Sequence, residues 1–294
     1  MYTTKFYIEP PTVNNCDLTP LLSVKGPIEV YDVYEVNRKD IVDFLESLPN
    51  EVTYHSADGD LKSSKIKVIY EPYSFLTEIS QRSRDIYFNQ KVPLLKWNFI
   101  SLCSAPKSFR YDILDRFYKH QYFVYSNYPY SKVNETNYKV HPNSKLEEYK
   151  GVNGFNNHHF RTLTEIETDH RGYQELVPME YLQSNIDLVL EADIDTLFIT
   201  EKTWKPIAFK KPFLIYGGKG IHSKLEELGF KLHTELFDYS FDLEYNRLDM
   251  IIDQVNKYID IYPNKFKEMI NFDIVEYNFN RYCEVFNVES RKRV

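Results

Sequence analysis

Residues 185–229 read NIDLVLEADIDTLFITEKTWKPIAFKKPFLIYGGKGIHSKLEELG, in which short apolar runs alternate with stretches of helical periodicity. Residues 186–190 and 213–216 are rich in β-branched or aromatic side chains, a pattern typical of buried strands. A helix is predicted after each strand, the first beginning behind Thr200 and the second ending at Gly229. Strands and helices that alternate at this spacing predict an α/β fold with a parallel sheet.

The polar residues that follow these two strands fall where parallel sheets bind ligands. Ligands of such sheets lie beyond the carboxyl ends of the strands, where helix N-termini direct free N–H groups toward anions. The sequence therefore predicts a binding site at this edge, formed by Glu191, Thr200, Glu201, Lys202 and the turn at residues 217–220.

The composition limits the class of protein. The 294 residues are enough for one large core or two modest domains. A net charge of −7 gives no overall positive field, which argues against a constitutive nucleic-acid coat protein. The three cysteines are far apart and fit a reducing cytosol better than a disulfide framework or a metal site. No apolar run resembles a signal peptide or reaches the length of a membrane span, so we expect a cytoplasmic protein.

The predicted elements form two series of strands and helices with a polar stretch between them. Residues up to about Pro27 are expected to be irregular, and residues 126–172 lack periodicity, which is typical of a loop region or a domain boundary. We therefore predict two domains, residues 1–172 and 173–294. The first series comprises predicted strands at residues 28–34, 52–55, 66–70, 97–103 and 122–125, with helices at 39–47, at 75–83 and from about 108 to 119.

Several short motifs in the last third of the chain occur together in one family. Glu191 is followed by Phe198-Ile199-Thr200-Glu201-Lys202-x-Trp204, and then by Lys211-Pro212-Phe213-Leu214-Ile215. This order resembles the donor-binding segment of α-1,3-fucosyltransferase-like glycosyltransferases, and more closely that of a related group of phage and bacterial glycosyltransferases. The resemblance continues through Leu228-Gly229-Phe230, Phe241-Asp242 and Arg247.

The resemblance implies the two-Rossmann glycosyltransferase fold called GT-B. The N-terminal Rossmann-like domain would bind the acceptor, the C-terminal one would bind a nucleoside-diphosphate sugar, and a helix at residues 274–286 would cross back to the first domain. The enzyme would act in a bacterium or an infected host cell and would need no cofactor. Its acceptor would be a hydroxyl group, either of a glycan or of a hydroxymethylated base in DNA, for which Lys and His in residues 132–161 could form a local basic groove.

The resemblance also assigns roles to individual residues. Glu201 suits the ribose of the donor, and Lys202 suits its diphosphate, because the helix dipole disfavours a lysine in the first turn unless an anion is bound. The alternatives are a capping role for Glu201 and an ordinary helix start with exposed cations near Arg110. The predicted donor-binding residues are Glu191, Thr200, Glu201, Lys202, Gly217, Gly218, Ser104, Lys107 and Arg110. Trp204 is expected to be structural, and Lys205, Lys210 and Lys211 to lie on a solvated helix face and turn.

An inverting transfer also needs a base, and a carboxylate would take the acceptor proton. Asp58, Asp60 and Glu71 follow predicted strands of the first domain and are the candidates. Since ligand sites favour domain interfaces, we expect the donor residues of one domain to work with a base from the other.

Two other functions remain open from the sequence. Asp193 and Asp195 form a D-x-D triplet, the metal–diphosphate motif of the second glycosyltransferase fold, GT-A. Its late position, together with Lys202 and Arg110 as phosphate cations, favours a metal-independent enzyme. A non-catalytic, nucleotide-binding Rossmann protein is the other alternative.

Overall fold

The computed structural model describes residues 2–8, 16–33, 36, 38–76, 79, 81–89, 94–103, 108–117, 120–127 and 179–292. In these ranges the chain is α/β, with two four-stranded sheets in which all neighbouring strands are parallel. The chain divides into two compact units. The first unit consists of Met1–Leu76, Glu191–Thr200 and Gly217–Ile221, and the second unit of Thr77–Leu190, Glu201–Tyr216 and His222–Val294.

The sheet of the first unit has its strands in the order of the sequence. These strands are β1 (Thr4–Tyr7), β2 (Ile28–Asp32), β3 (Val52–Ser56) and β4 (Lys67–Tyr70). A 3-10 helix (Thr19–Ser23) lies between β1 and β2, and helix α1 (Lys39–Ser47) lies between β2 and β3.

The two faces of this sheet differ in burial. Side chains alternate between the faces of a strand, and in β2 and β3 every second residue is buried. Val30 and Tyr54 belong to the buried face and form a core cluster with Ile41 of α1. Tyr31 and His55 belong to the opposite face, which is half-buried.

The sheet of the second unit has the strand order β6-β5-β7-β8. Its strands are β5 (Trp97–Cys103), β6 (Phe123–Asn127), β7 (Ser184–Leu190) and β8 (Phe213–Tyr216). The described helices of the second unit are α2 (Gln81–Phe88), α3 (Ser108–Phe117), α4 (Met179–Leu182), α5 (Glu201–Ala208), α6 (Ile221–Glu227), α7 (Arg247–Asn256), α8 (Pro263–Lys267) and α9 (Phe272–Lys292). The first residue of α6 belongs to the first unit. A 3-10 helix spans Tyr239–Leu243.

The order of these four strands creates a topological switch point. From β5 the chain continues to β6 on one side, whereas β7 pairs with the other side of β5 and leads outward to β8. The direction of the strand order thus reverses between β5 and β7. In open parallel sheets, ligands bind beyond the carboxyl ends of the strands at such a reversal.

Many predicted elements are confirmed, and a few are wrong. Helix 39–47 and strands 97–103 and 213–216 have the predicted bounds. The irregular N-terminal region predicted from its Pro and Asn content contains β1, which pairs with β2 along its whole length. A helix predicted at residues 75–83 begins later, as Gln81–Phe88. The C-terminal helix is longer than predicted, and its crossing to another domain stays a prediction.

The strand pairing groups the chain differently from the sequence division at residue 172. That division placed strands 97–103 and 122–125 with the N-terminal series, but β5 and β6 share a sheet with β7 and β8. Hydrophobic pattern identifies a strand, whereas its sheet depends on long-range pairing that the pattern does not encode. In the described part of the chain, no helix has both the length and the apolar character needed to cross a membrane.

Two lysines expected on the surface are buried in the second unit. Lys205 is 5% exposed and Lys211 is 6% exposed. The Lys211 Nζ donates hydrogen bonds to the carbonyl oxygen and hydroxyl of Ser184 and lies 4.6 Å from the centre of the Tyr181 ring. The Tyr181 hydroxyl in turn donates to Asp187 Oδ2 at 2.8 Å. Burial raises the pKa of Asp187 to about 6 and lowers the pKa of Lys211 to about 7.

The raised pKa of Asp187 predicts a pH-dependent stability. An unfolded aspartate titrates near pH 4, so between about pH 4 and 6 the folded chain binds more protons than the unfolded chain. Wild-type protein should therefore lose stability as the pH rises through this window. Asp187→Asn keeps an acceptor for the Tyr181 hydroxyl but does not titrate, and should lack this loss, on the order of 2 kcal/mol.

Urea unfolding of both proteins at pH 4, 5, 6 and 7 measures the effect, since titrating groups that do not interact with Asp187 cancel in the difference between them. A difference in unfolding free energy that stays constant over this range would contradict the prediction.

Candidate functional site

A turn that follows β3 is bonded to the Glu191–Thr200 segment within the first unit. The Gly59 N–H donates to the Leu197 carbonyl at 2.9 Å, and the Leu197 N–H donates to Asp60 Oδ2 at 2.8 Å. A Cβ on Gly59 would lie 2.8 Å from Leu197 Cδ2, so the approach requires glycine. Asp60, predicted as a base candidate, is thus at the carboxyl end of β3 and holds a backbone amide there.

Asp58 also shapes this turn. Asp58 is only 6% exposed, and its Oδ1 accepts a hydrogen bond from the Asp60 N–H at 2.9 Å. Its own N–H donates to the hydroxyl of Ser56 at 3.1 Å. Aspartate side chains that accept a bond from the amide two residues ahead stabilise turns. Asp58 and Asp60, both predicted as base candidates, thus lie in one turn, and each accepts a backbone N–H group.

Glu191 joins the two ends of the Glu191–Thr200 segment. It is fully buried, and its Oε1 accepts the Thr200 N–H at 3.1 Å. Its Oε2 accepts the Thr200 hydroxyl at 2.6 Å and the Ala192 N–H at 3.0 Å. A carboxylate that accepts several protein donors fixes the backbone around it. Glu191 and Thr200 therefore form one structural unit directly before α5.

Asp193 holds the middle of the same segment. Its Oδ1 accepts hydrogen bonds from the N–H groups of Asp195 and Thr196, both at 2.8 Å. The D-x-D triplet is therefore part of a turn in which the first carboxylate binds backbone amides. Over the described ranges, no cluster of three or more His, Cys, Asp or Glu residues has an arrangement suited to a metal ion.

The two predicted donor-binding glycines allow close packing inside the first unit. A Cβ on Gly218 would lie 2.1 Å from the Thr196 carbonyl oxygen, and one on Gly217 would lie 3.2 Å from the Glu191 Cβ. A Cβ at Gly218 would clash with the backbone, and one at Gly217 would require Glu191 to move slightly. The glycines at these positions thus let the turn after β8 pack against the Glu191–Thr200 segment.

Carboxylates from two segments act electrostatically on Tyr70. Burial and the carboxylates of Glu191, Asp60 and Asp58 raise the pKa of Tyr70 above its ordinary value. Tyr70 is the last residue of β4, so the carboxyl end of this strand lies within the electrostatic reach of Glu191. The predicted acids of the first domain and Glu191 are therefore brought together.

The third base candidate, Glu71, has a partner that the sequence did not reveal. His55 Nδ1 and Glu71 Oε1 are 2.8 Å apart. The pairing of β3 with β4 aligns Ser56 with Tyr70, which brings the residue after β4 next to the end of β3. A single histidine in a strand carries no motif. The available signal for this contact was a histidine near the end of one predicted strand together with an acid just after the next predicted strand.

In the second unit, Glu201 and Lys202, which were predicted to bind the ribose and the diphosphate, form an ion pair with each other. Lys202 Nζ lies 2.7 Å from Glu201 Oε1 in the first turn of α5, with the side chains 19% and 13% exposed. Burial acts to raise the pKa of Glu201, but Lys202, Lys205 and a backbone hydrogen bond together outweigh it and leave that pKa below the ordinary value. The two side chains form a largely shielded ion pair.

Two arginines lie at the last paired position of β7 and β8. Arg110 is 2% exposed, and its Nη2 donates to the Leu190 carbonyl at 3.1 Å. The Arg247 guanidinium lies 5.7 Å from the centre of the Tyr216 ring. Leu190 and Tyr216 are register partners at the carboxyl ends of these strands. We refer to Arg110 and Arg247 as the arginine pair.

An aromatic contact connects the two members of the arginine pair. The Phe109 ring meets the Tyr216 ring edge-on at 5.6 Å between centroids, and the Arg110 guanidinium lies 5.5 Å from the Phe109 centroid. Both guanidinium groups thus lie beside aromatic rings next to the switch point. Ser104 and Lys107, predicted to act with Arg110, lie outside the described residues, as do residues 132–161.

The bonds of Glu191 predict a measurable loss of stability in Glu191→Gln. The amide retains one acceptor oxygen but replaces the other with a donor that faces the donors of Thr200 and Ala192. We expect the unfolding free energy to fall by about 1–3 kcal/mol. Denaturant unfolding measures it, with the exposed Glu51→Gln as the control. Equal losses in both variants would show that Glu191 does not organise the segment.

Neither a protein-family model nor a curated protein sequence matches this chain. Among solved structures, the chain is similar to the DNA-modifying enzyme β-glucosyltransferase, whose crystal structure was determined in the presence and absence of the substrate uridine diphosphoglucose. The similarity covers 92% of this chain and 75% of that chain, at 13% sequence identity and a TM-score of 0.40.

Proposed function

We propose that this protein is a glycosyltransferase that moves a sugar from a nucleoside-diphosphate sugar to a hydroxyl acceptor. The observation that carries the proposal is the arginine pair beside the topological switch point. Ligands of open parallel sheets bind at this edge, and a guanidinium group placed there is suited to an anionic ligand. The planar guanidinium matches the geometry of phosphate oxygens, and a diphosphate offers enough of them for two arginines.

The first turn of α5 supplies the other donor contacts. A helix N-terminus favours anions, and Lys202 in this turn adds a mobile positive charge. In our proposal the diphosphate replaces Glu201 as the partner of Lys202. The carboxylate of Glu201 then becomes free to accept hydrogen bonds from the ribose hydroxyls.

Charge neutralisation explains how this arrangement would favour transfer. When the acceptor oxygen attacks the anomeric carbon, the bond from that carbon to the diphosphate oxygen breaks and its electron pair leaves with the nucleoside diphosphate. Negative charge grows on the leaving group, and fixed cations that face it lower the barrier. Arg110, Arg247 and Lys202 would provide these cations, in place of the divalent ion that a D-x-D motif would hold.

The acceptor and the catalytic competence are further parts of the proposal. Either a glycan or a hydroxymethylated base in DNA supplies the hydroxyl group that the reaction needs. A nucleotide-binding protein without activity would share the same arginine pair, but it would not release nucleotide from a bound donor. The turn formed by Asp193 supports a structural task for the D-x-D triplet.

The arginine pair predicts a loss of donor affinity in Arg110→Lys and Arg247→Lys. Both variants keep the positive charge but lose the planar fork, so we expect donor binding to weaken at least tenfold, or about 1.4 kcal/mol. Lys202→Ala should have a similar effect. Calorimetry and thermal shift with UDP-glucose, UDP-N-acetylglucosamine and GDP-fucose measure it, since a bound donor raises the melting temperature.

Arg116→Lys is the matched control, because Arg116 is in the same helix as Arg110 and pairs with Asp249 on the surface. Unchanged donor affinity in all three test variants would remove these cations from the site. No shift with any nucleotide sugar or nucleoside diphosphate would contradict the proposed function itself.

Metal independence is a separate prediction. Since the proposed cations come from side chains, release of nucleotide from the donor should continue at the wild-type rate in EDTA. Full loss in chelator, recovery with Mn²⁺ and inactivity of Asp193→Asn would favour the metal-dependent D-x-D mechanism instead.

A further inference from the structure

We propose that His55 is the catalytic base that takes the proton of the acceptor hydroxyl, and that Glu71 positions it. This inference rests on the proposed function and names a residue for its proton-transfer step. All the contacts that support it lie within the first unit.

The contact between the two side chains defines the state of the imidazole. A carboxylate accepts hydrogen bonds but donates none, so the 2.8 Å contact between His55 Nδ1 and Glu71 Oε1 places the proton on Nδ1. In the neutral ring the lone pair is then on Nε2. A histidine oriented through Nδ1 by a carboxylate, with Nε2 as the proton acceptor, is the arrangement that activates hydroxyl groups in many hydrolases.

Stacking holds the ring in this orientation. The His55 ring lies 4.1 Å from the Tyr31 ring with an angle of 14° between their planes. Tyr31 stacks in turn on Tyr7 at 4.8 Å, so one row of rings crosses three strands. The row fixes the plane of the imidazole, while the hydrogen bond to Glu71 fixes its rotation. A base held in advance in this way loses little freedom in the transition state.

The His55 ring is partly exposed to solvent. The His55 side chain is 12% exposed, and it belongs to the half-buried face of the first sheet. Within the described ranges, the hydrogen bond to Glu71 is the one that the His55 ring makes, and Nε2 accepts none from the protein. A substrate hydroxyl can therefore be its partner.

The position of the pair also suits a base. His55 is the fourth residue of β3 and Glu71 follows β4 directly, so both lie at the carboxyl edge where ligands of parallel sheets bind. The two other base candidates are occupied by backbone amides, Asp58 by that of Asp60 and Asp60 by that of Leu197. We assign the proton transfer to His55 because Glu71 orients its ring, whereas Asp58 and Asp60 each bind a backbone amide.

The proposed step balances in protons and electrons. The acceptor O–H proton moves to His55 Nε2 while the oxygen forms a bond to the anomeric carbon. The bond from that carbon to the diphosphate breaks, and its electron pair leaves with the nucleoside diphosphate. The carboxylate of Glu71 stabilises the imidazolium that forms, which then returns its proton to water. This course inverts the configuration at the anomeric carbon.

The test compares His55→Gln with His120→Gln. His120 Nδ1 also lies near a carboxylate, Asp260 Oδ1 at 3.3 Å, but in the second unit and on the surface, so it is a matched control. The probe is the nucleotide sugar with the largest thermal shift among UDP-glucose, UDP-N-acetylglucosamine and GDP-fucose, with water as acceptor. His55→Gln should lower kcat for nucleotide release at least a hundredfold and keep the donor Kd within about twofold, whereas His120→Gln should change neither.

Two further variants separate catalysis from a structural role. Imidazole added to His55→Ala should restore part of the lost kcat, because the free base can enter the space left by the ring. Glu71→Gln should lower kcat about tenfold or more with an unchanged KM, since the amide orients the ring but does not stabilise its positive charge.

The outcomes distinguish this inference from the proposed function. Wild-type kcat in His55→Gln, with donor binding intact, would overturn the base and leave the glycosyltransferase proposal standing. Loss of donor binding together with a lower melting temperature in His55→Gln, without imidazole rescue of His55→Ala, would show a structural ion pair and would also overturn it. A wild-type protein that binds no nucleotide sugar would refute the proposed function, and the base with it.

Discussion

Two hydrogen bonds between Leu197 and the Gly59–Asp60 turn determine the arrangement of the first unit's loops. They bond the amide and the carbonyl of one residue to a turn far away in sequence. Because both backbone groups of Leu197 are used, the Glu191–Thr200 segment has one register relative to β3. Any shift in this register would break both bonds. The bonds of Glu191 and the close approach at Gly218 depend on this register.

The second unit depends on a different constraint, which is the burial of positive charge. Lys205, Lys211, Arg110 and Arg247 are all at most 9% exposed. The charge of Lys211 is stabilised by a hydrogen bond to Ser184, by the Tyr181 ring and by the carboxylate of Asp187, so its burial requires no ligand. The arginine pair is instead at the carboxyl edge, where each guanidinium group lies beside an aromatic ring. Buried positive charge is thus stabilised within the protein core at Lys211, whereas in our proposal it binds a ligand at the arginine pair.

Carboxylates that look alike in the sequence have different tasks in the structure. Asp58, Asp60 and Glu191 all follow strands and all seemed able to act on a substrate. Each of them accepts at least one backbone N–H group, which fixes a loop. Glu71 lies within hydrogen-bonding distance of a histidine instead, and in our proposal it orients that histidine as a base. The identity of the hydrogen-bond donor, rather than the position along the chain, separates these roles.

The sequence by itself determined the local elements and the edge at which the candidate residues lie. Apolar runs and helix signals predicted α1, β5 and β8 with their bounds, because these patterns depend on neighbouring residues. The same reasoning placed Glu201, Lys202 and Arg110 after strand ends. Only the tertiary structure decided that β5 joins the sheet of β7, that Gly218 serves packing, and that His55 meets Glu71. Each of these is a contact between segments distant in sequence. Such contacts follow from strand pairing and close packing, which no local pattern records.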